Sequence, residues 1–174
     1  SATPTATPTG GVEIAVEPVY QLVEAGSILT VDLVIRSGEQ PVDGAQAFLD
    51  FDPTYLMVVD AAGDPTDSVA PGTALDQILQ NVVDNGAGRI SYAAGRLFGP
   101  FPSGEFVLAT IRLKAKAATE GTWLLFHRGA PRDTQVVYDT APILSRITDG
   151  LIVIVPQPWP YRVRLPLLLR PAER

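Results

Sequence analysis

Between Val12 and Val155 the apolar side chains recur with a period of two, and turns punctuate the runs. A period of two sends successive side chains to opposite faces of a strand. Val12, Ile14 and Val16 alternate with Glu13, Ala15 and Glu17. Ile28 to Ile35 is an almost unbroken β-rich run with Asp32 inside it, and Ala45 to Phe51 continues the pattern until Asp52-Pro53 stops it. Tyr55 to Val59 is short and apolar. Ile78 to Val83 and Arg89 to Ala93 flank Asp84-Asn85-Gly86, a hairpin signal. Phe106 to Ala117 alternates over a long stretch with a change of phase near Thr110, which predicts a bulge. Trp123 to Phe126, Gln135 to Tyr138 and Leu151 to Val155 complete the set. About nine or ten short strands spaced by turns predict an all-β, antiparallel sandwich. Helical spacing is confined to Thr73–Leu79.

Composition narrows the chemistry. The 174 residues are 46% hydrophobic with a mean hydropathy of +0.17, enough to bury a core. With 16 Pro and 15 Gly the chain is rich in turns. There is no Cys, which removes thiol catalysis, thiolate metal sites and disulfides, and the single His127 removes a multi-histidine centre within one chain. A net charge of −6 argues against nucleic acid as a ligand. No apolar run reaches the length of a membrane-spanning helix.

The two ends differ from the body. Residues 1–11 read SATPTATPTGG, a Thr/Pro linker held extended by its prolines. Its Thr3, Thr5, Thr7 and Thr9 are candidate O-glycosylation sites, and the alternative is a bare spacer. A start at Ser1 fits a mature, exported N-terminus. Residues 12–155 form the domain, and residues 156–174 a basic, apolar tail, PQPWPYRVRLPLLLRPAER. Up to Val155 the balance is 9 cations against 18 carboxylates, or −9; the tail, with Arg162, Arg164, Arg170 and Arg174 against Glu173, carries +3. In a strand Tyr161, Val163 and Leu165 would share one side and Arg162 and Arg164 the other. With Trp159, Leu167, Leu168 and Leu169 they are the candidate partner-binding residues of the tail, and Trp159, between two prolines, is a candidate anchor.

Other side chains offer candidate chemistry. Asp50 and Asp52 are two apart, the spacing of paired carboxylates for glycoside cleavage, but Asp52-Pro53 reads more simply as a turn that ends a strand. Asp60, Asp64 and Asp67 are a weak candidate for Ca²⁺, with spacing that fits no EF-hand loop, and a solvated loop explains them as well. His127 lacks any Gly-x-Ser-x-Gly elbow to act with and is expected at the surface or as a cap. Trp123, Tyr92, Tyr138 and Trp159 are candidates for a sugar-stacking platform, but with only two Trp, and Trp123 in an apolar strand, core packing is the expectation for all except Trp159.

Several segments together resemble the cohesin family. They are Val12-Glu13-Ile14-Ala15-Val16, Glu24 to Leu33 (EAGSILTVDL), Val42 to Leu56 (VDGAQAFLDFDPTYL), Gly88 to Gly95 (GRISYAAG), Gly104 to Ala115 (GEFVLATIRLKA) and Thr148 to Val155 (TDGLIVIV). The resemblance implies a nine-stranded jelly-roll sandwich that binds a dockerin through one sheet face. By the same resemblance that face draws on Ala45–Phe51, Ile78–Val83, Arg89–Ala94 and Phe106–Ala115, with Gln46, Phe48, Asp50, Tyr92 and Arg112 at the contact. Fold alone does not settle the function. The reading that follows is a secreted, non-enzymatic protein-interaction module without a cofactor. Its expected partner is another copy, docked head to tail by strand addition of the tail. A dockerin-bearing partner and a carbohydrate ligand are the alternatives.

Overall fold

The computed structural model describes residues 10–158. They form fourteen strands in two sheets and no helix. In chain order these are β1 (Val12–Glu17), β2 (Tyr20–Glu24), β3 (Ile28–Arg36), β4 (Gly44–Asp50), β5 (Leu56–Val58), β6 (Ala70–Pro71) and β7 (Gln77–Asp84). There follow β8 (Arg89–Gly95), β9 (Glu105–Ala115), β10 (Thr119–Phe126), β11 (Gln135–Tyr138), β12 (Ala141–Pro142), β13 (Leu144–Thr148) and β14 (Gly150–Val155).

One sheet runs β13-β1-β3-β9-β5, with β6 also on β9. The other runs β12-β11-β4-β10-β14-β2, and β8 and then β7 extend from the opposite edge of β4. The inward positions of both sheets make one core, in which Ile14, Leu33, Ile35, Leu49, Ile90, Ile111, Leu113, Leu124 and Ile152 are fully buried. Alternation produces this directly: along β4 the buried residues are Ala45, Ala47 and Leu49, and the intervening Gln46, Phe48 and Asp50 face out. Gly88 closes the β7–β8 hairpin at a φ of +67°, where a Cβ would strike the Phe51 carbonyl, so only glycine fits. The hairpin tip is then tied down by Asn85, whose side chain bonds the backbone of Val58 and of Thr66.

The expected sandwich is therefore present, with differences of detail. Pairing is antiparallel except for β1 with β13 and β14 with β2, which are parallel. The expected bulge lies at Leu108, where the β9 register against β3 slips and Leu108 and Ala109 are both buried. Thr73–Leu79 is not helical: β7 begins at Gln77 and pairs with β8. Leu75 is buried while Leu79 is exposed, so the helix-like spacing does not mark a shared face.

The outer side of the first sheet is stapled by charge. Glu13, almost wholly buried, accepts hydrogen bonds from Thr148 Oγ1 (2.7 Å) and Arg146 (2.9 Å), and Arg36 bridges Glu17 and Glu105, each at 2.7 Å. Burial by itself would raise the Glu13 pKa, but the bonds from Thr148 and Arg146 and the charges of Arg146 and Arg36 outweigh it and hold the carboxyl below its usual 4.5. A carboxylate with a depressed folded-state pKa adds stability above its unfolded pKa, and that stability is lost as pH falls through the folded value. Because its cations are partly exposed, we expect Glu13→Gln to cost about 1–2 kcal/mol at pH 7. Urea titrations should show that difference shrinking below about pH 4; an unchanged difference at low pH would contradict this assignment.

Candidate partner-binding face

The outward side of β7, β8 and β4 is a continuous surface. Register places Asp84, Val82 and Gln80 beside Arg89, Ser91 and Ala93, and these beside Asp50, Phe48 and Gln46. Gln135 and Val137 of β11 continue the rows across the other edge of β4. Gly44 keeps β11 close, since a Cβ there would come within 2.9 Å of Val137 Cγ2. β10 and β11 pair with opposite ends of that same edge, and residues 127–134 loop out between them.

This loop is built onto β4. His127 N–H donates to the Phe48 carbonyl (2.6 Å), Thr134 Oγ1 exchanges bonds with the Phe48 backbone, and Gln46 Nε2 donates to the Asp133 carbonyl (2.6 Å). Arg132 then reaches back over the sheet. Its guanidinium pairs with Asp50 Oδ1 at 2.5 Å, donates to the carbonyls of Leu49 and Ile90, and sits 5.7 Å from the centre of the Phe48 ring. Asp133 is held below the usual carboxylate range by the Gln135 side chain, then by the Gly129 N–H, with a smaller contribution from His127. At one end of the face Leu79, the residue at the β7 bulge, is 76% exposed, and in the loop that follows β8 Leu97 and Phe98 are exposed, Phe98 at 81%. Arg96 braces that end by donating to the carbonyls of Ala74 and Phe98.

The expected contact residues divide. Gln46, Phe48 and Asp50 lie together on this face. Tyr92 does not: its side chain is fully buried between the sheets, because Ile90, Tyr92 and Ala94 are the inward set of β8. Burial raises the pKa of its hydroxyl, which has no hydrogen-bond partner among the described residues. Arg112 lies on β9 in the opposite sheet, so it and the whole Phe106–Ala115 segment leave the face. The strand that adjoins β4 there is β10.

The other candidates resolve individually. Asp50 is ion-paired with Arg132, while Asp52 caps its turn by accepting from Thr54 N–H (2.8 Å), so they do not act as an acid–base pair. Asp60 spends Oδ1 on the N–H groups of Ala62 and Asp64, and among the described residues no three acidic or histidine side chains converge as a metal site, which removes the Ca²⁺ reading of Asp60, Asp64 and Asp67. His127 is a half-buried strut whose Nδ1 lies 3.0 Å from the Arg132 carbonyl, which can only accept, so Nδ1 carries the hydrogen. Trp123 corrects the core expectation: it points outward from β10 and is 49% exposed. Tyr138 packs edge-on against Phe101, and Tyr92 is internal, so Trp123, Tyr92 and Tyr138 do not form one stacking platform. Thr3, Thr5, Thr7 and Thr9 lie outside the described residues, as do Trp159, Tyr161, Arg162, Val163, Arg164, Leu165, Leu167, Leu168 and Leu169.

Sequence reasoning missed Arg132, Leu79, Leu97 and Phe98. A signal existed for two of them: Leu97-Phe98 stands in a turn-rich stretch, RLFGPFPSG, with no alternation to bury it.

The family model for the cohesin domain matches residues 12–151. The chain belongs to the cohesin family. Its fold is similar to a type II cohesin domain from the cellulosome of Acetivibrio cellulolyticus, at 20% identity and a TM-score of 0.67, over 83% of this chain and 95% of that one. It is also similar to a non-cellulosomal cohesin from the archaeon Archaeoglobus fulgidus, at 16% identity and a TM-score of 0.62, over 84% of this chain and 92% of that one. A type I cohesin–dockerin complex from Clostridium thermocellum matches at 15% identity with a TM-score of 0.67, covering 84% of this chain and 94% of that one. No curated protein sequence matches the chain. Cohesin domains are protein-interaction modules, and the described residues contain no helix long and apolar enough to cross a membrane.

The orphan hydroxyl of Tyr92 has a measurable consequence. Removing a buried polar group without a partner relieves its desolvation cost. We expect Tyr92→Phe to raise stability by about 1 kcal/mol in urea unfolding; a loss of that size would show that the hydroxyl is bonded.

Proposed function

We propose that this cohesin domain is a non-enzymatic receptor that holds a dockerin-type protein on the outer face of β7, β8 and β4. The observation that carries the reading is the combination, on one sheet face, of a fixed charged centre and a bare apolar end. Arg132, Asp50 and Phe48 are held in place by the sheet, and Leu79, Leu97 and Phe98 project unpartnered from its end. Rigid aromatic and arginine groups surrounded by exposed apolar side chains are the usual composition of an interface core. The dockerin complex of the Clostridium thermocellum cohesin supports the choice of partner. A secreted or cell-surface setting fits both this role and the Thr/Pro linker of residues 1–11.

Head-to-tail assembly through residues 156–174 rests on a segment that lies almost wholly outside the described residues. A carbohydrate ligand is less favoured, since the aromatic residues do not share one platform. Calorimetric titration against a panel of dockerin modules in calcium-containing buffer should give at least one 1:1 complex. Leu79→Asp should then weaken it about tenfold or more, by placing a charge against an apolar contact. Binding that is indifferent to Leu79→Asp and to Phe48→Ala would remove this face from the interaction.

A further inference from the structure

The other half of the same sheet carries a second apolar surface. On β10, β14 and β2 the outward rows are Trp123–Leu151–Tyr20 and, beside the irregular stretch of β10 that holds Gly121, Val153–Leu22. Leu125 extends the first strand beside Asp50. Tyr20, Leu22, Trp123 and Leu125 are all exposed, Leu22 at 61%, and Leu151 and Val153 are half-buried. Leu151 Cδ1 lies over the bare backbone of Gly121, 3.2 Å from where a Cβ would stand, which widens the surface between the two rows.

The charged residues on its own three strands are of one sign. β2, β10 and β14 contain no Lys or Arg, and they carry Glu24 and Glu120, both exposed. At the far end Asp52, and Asp50 with its Arg132 partner, border a shallow hollow lined by Trp123 and Leu125. The surface therefore asks for a ligand that is apolar in the middle and cationic along its margins.

The chain contains such a segment, attached at the right place. β14 ends at Val155 beside Glu24, and Ala118, Thr119, Val153, Val155 and Pro156 line an apolar hollow at that point. Pro156 lines this hollow, and the described chain stops two residues later at Pro158. The following 16 residues (174 − 158) carry seven large apolar side chains and four arginines against one glutamate. At about 3.3 Å per residue they reach roughly 50 Å, whereas the apolar surface is about 20 Å long and 10 Å wide at ordinary strand spacings. Attachment next to the surface gives an effective concentration in the millimolar range, which favours the same molecule over a neighbour. Pro160 and Pro166 lack N–H donors, so the segment suits a sheet face better than a ladder on the free edge of β2.

We propose that residues 159–174 fold back over their own domain and cover the β10–β14–β2 surface, with Tyr161, Val163 and Leu165 against Leu22, Val153 and Trp123. The arginines reach the acidic rim by their aliphatic stems. This segment then shields one half of the sheet, and the partner-binding half stays open.

The absence of Cys makes a direct test available in the full chain. Leu22→Cys introduces a single thiol into the surface, and Leu79→Cys introduces one on the open half. A second pair carries Leu165→Ser, Leu167→Ser, Leu168→Ser and Leu169→Ser in addition. Reaction with a maleimide is followed at protein concentrations where light scattering reports a monomer, and circular dichroism checks that each variant is folded. The Leu22→Cys thiol should react about tenfold or more slowly in the native-tail chain than in the serine-substituted one, while the Leu79→Cys thiol is indifferent to the tail. Equal rates at Leu22→Cys with and without the tail leucines would overturn the proposal. So would protection that appears only where light scattering reports a dimer, because the segment would then be covering a neighbour.

Discussion

The inward packing of β4 is the constraint on which the candidate site rests. Ala45, Ala47 and Leu49 are buried to near completion, and a one-residue slip would turn them out and Gln46, Phe48 and Asp50 in. The strand is also fixed from both edges, by β8 along its whole length on one side and by β10 and β11 at its two ends on the other. The loop of residues 127–134 exists because those two strands share an edge with a gap between them. Arg132 owes its position to that gap, and Phe48 and Asp50 owe theirs to the register.

The two faces of the sandwich use charge differently. On the outer side of the first sheet Glu13, Arg36, Arg146, Glu17 and Glu105 tie β1, β3, β9 and β13 together, and the buried carboxylate gives that network its stability. On the outer side of the second sheet the ion pair of Arg132 with Asp50 lies on an aromatic ring and is open enough to meet a partner. A pair of this kind orients and discriminates more than it adds affinity. The apolar residues at the end of β7 and β8 supply the surface whose burial can drive association.

Much of the fold was legible in the sequence. The alternation along Ile28–Ile35, Ala45–Phe51 and Phe106–Ala115 mapped onto β3, β4 and β9, and the Asp84-Asn85-Gly86 signal onto a hairpin. The strands that were missed have physical reasons. β2 and β13 lie at sheet margins and pair in parallel, so their residues are half or fully exposed and leave no clean pattern. At the site, Gln46, Phe48 and Asp50 could be read off because they are the outward set of a strand whose inward set was plain. Core packing holds for Tyr92, which the resemblance alone had put on the sheet face, and fails for Trp123, because an aromatic residue in a strand looks alike from either face. Only the hairpin register that buries Ile90 and Val83 sends Tyr92 inward, and only the row shared with Leu151 and Tyr20 sends Trp123 outward.

The amino-acid sequence by itself determined the class of structure, the phase of each long strand and the exclusion of thiol and multi-histidine chemistry, since these follow from side-chain period and residue type alone. The tertiary structure decided which strands share a sheet. It moved the Phe106–Ala115 strand to the far face, put β10 beside β4, and brought Arg132 over Phe48 and Asp50 from residues some eighty positions away. Local preference has a range of a few residues, whereas sheet order is settled by which apolar faces can be buried against each other at once, and that is a property of the whole chain.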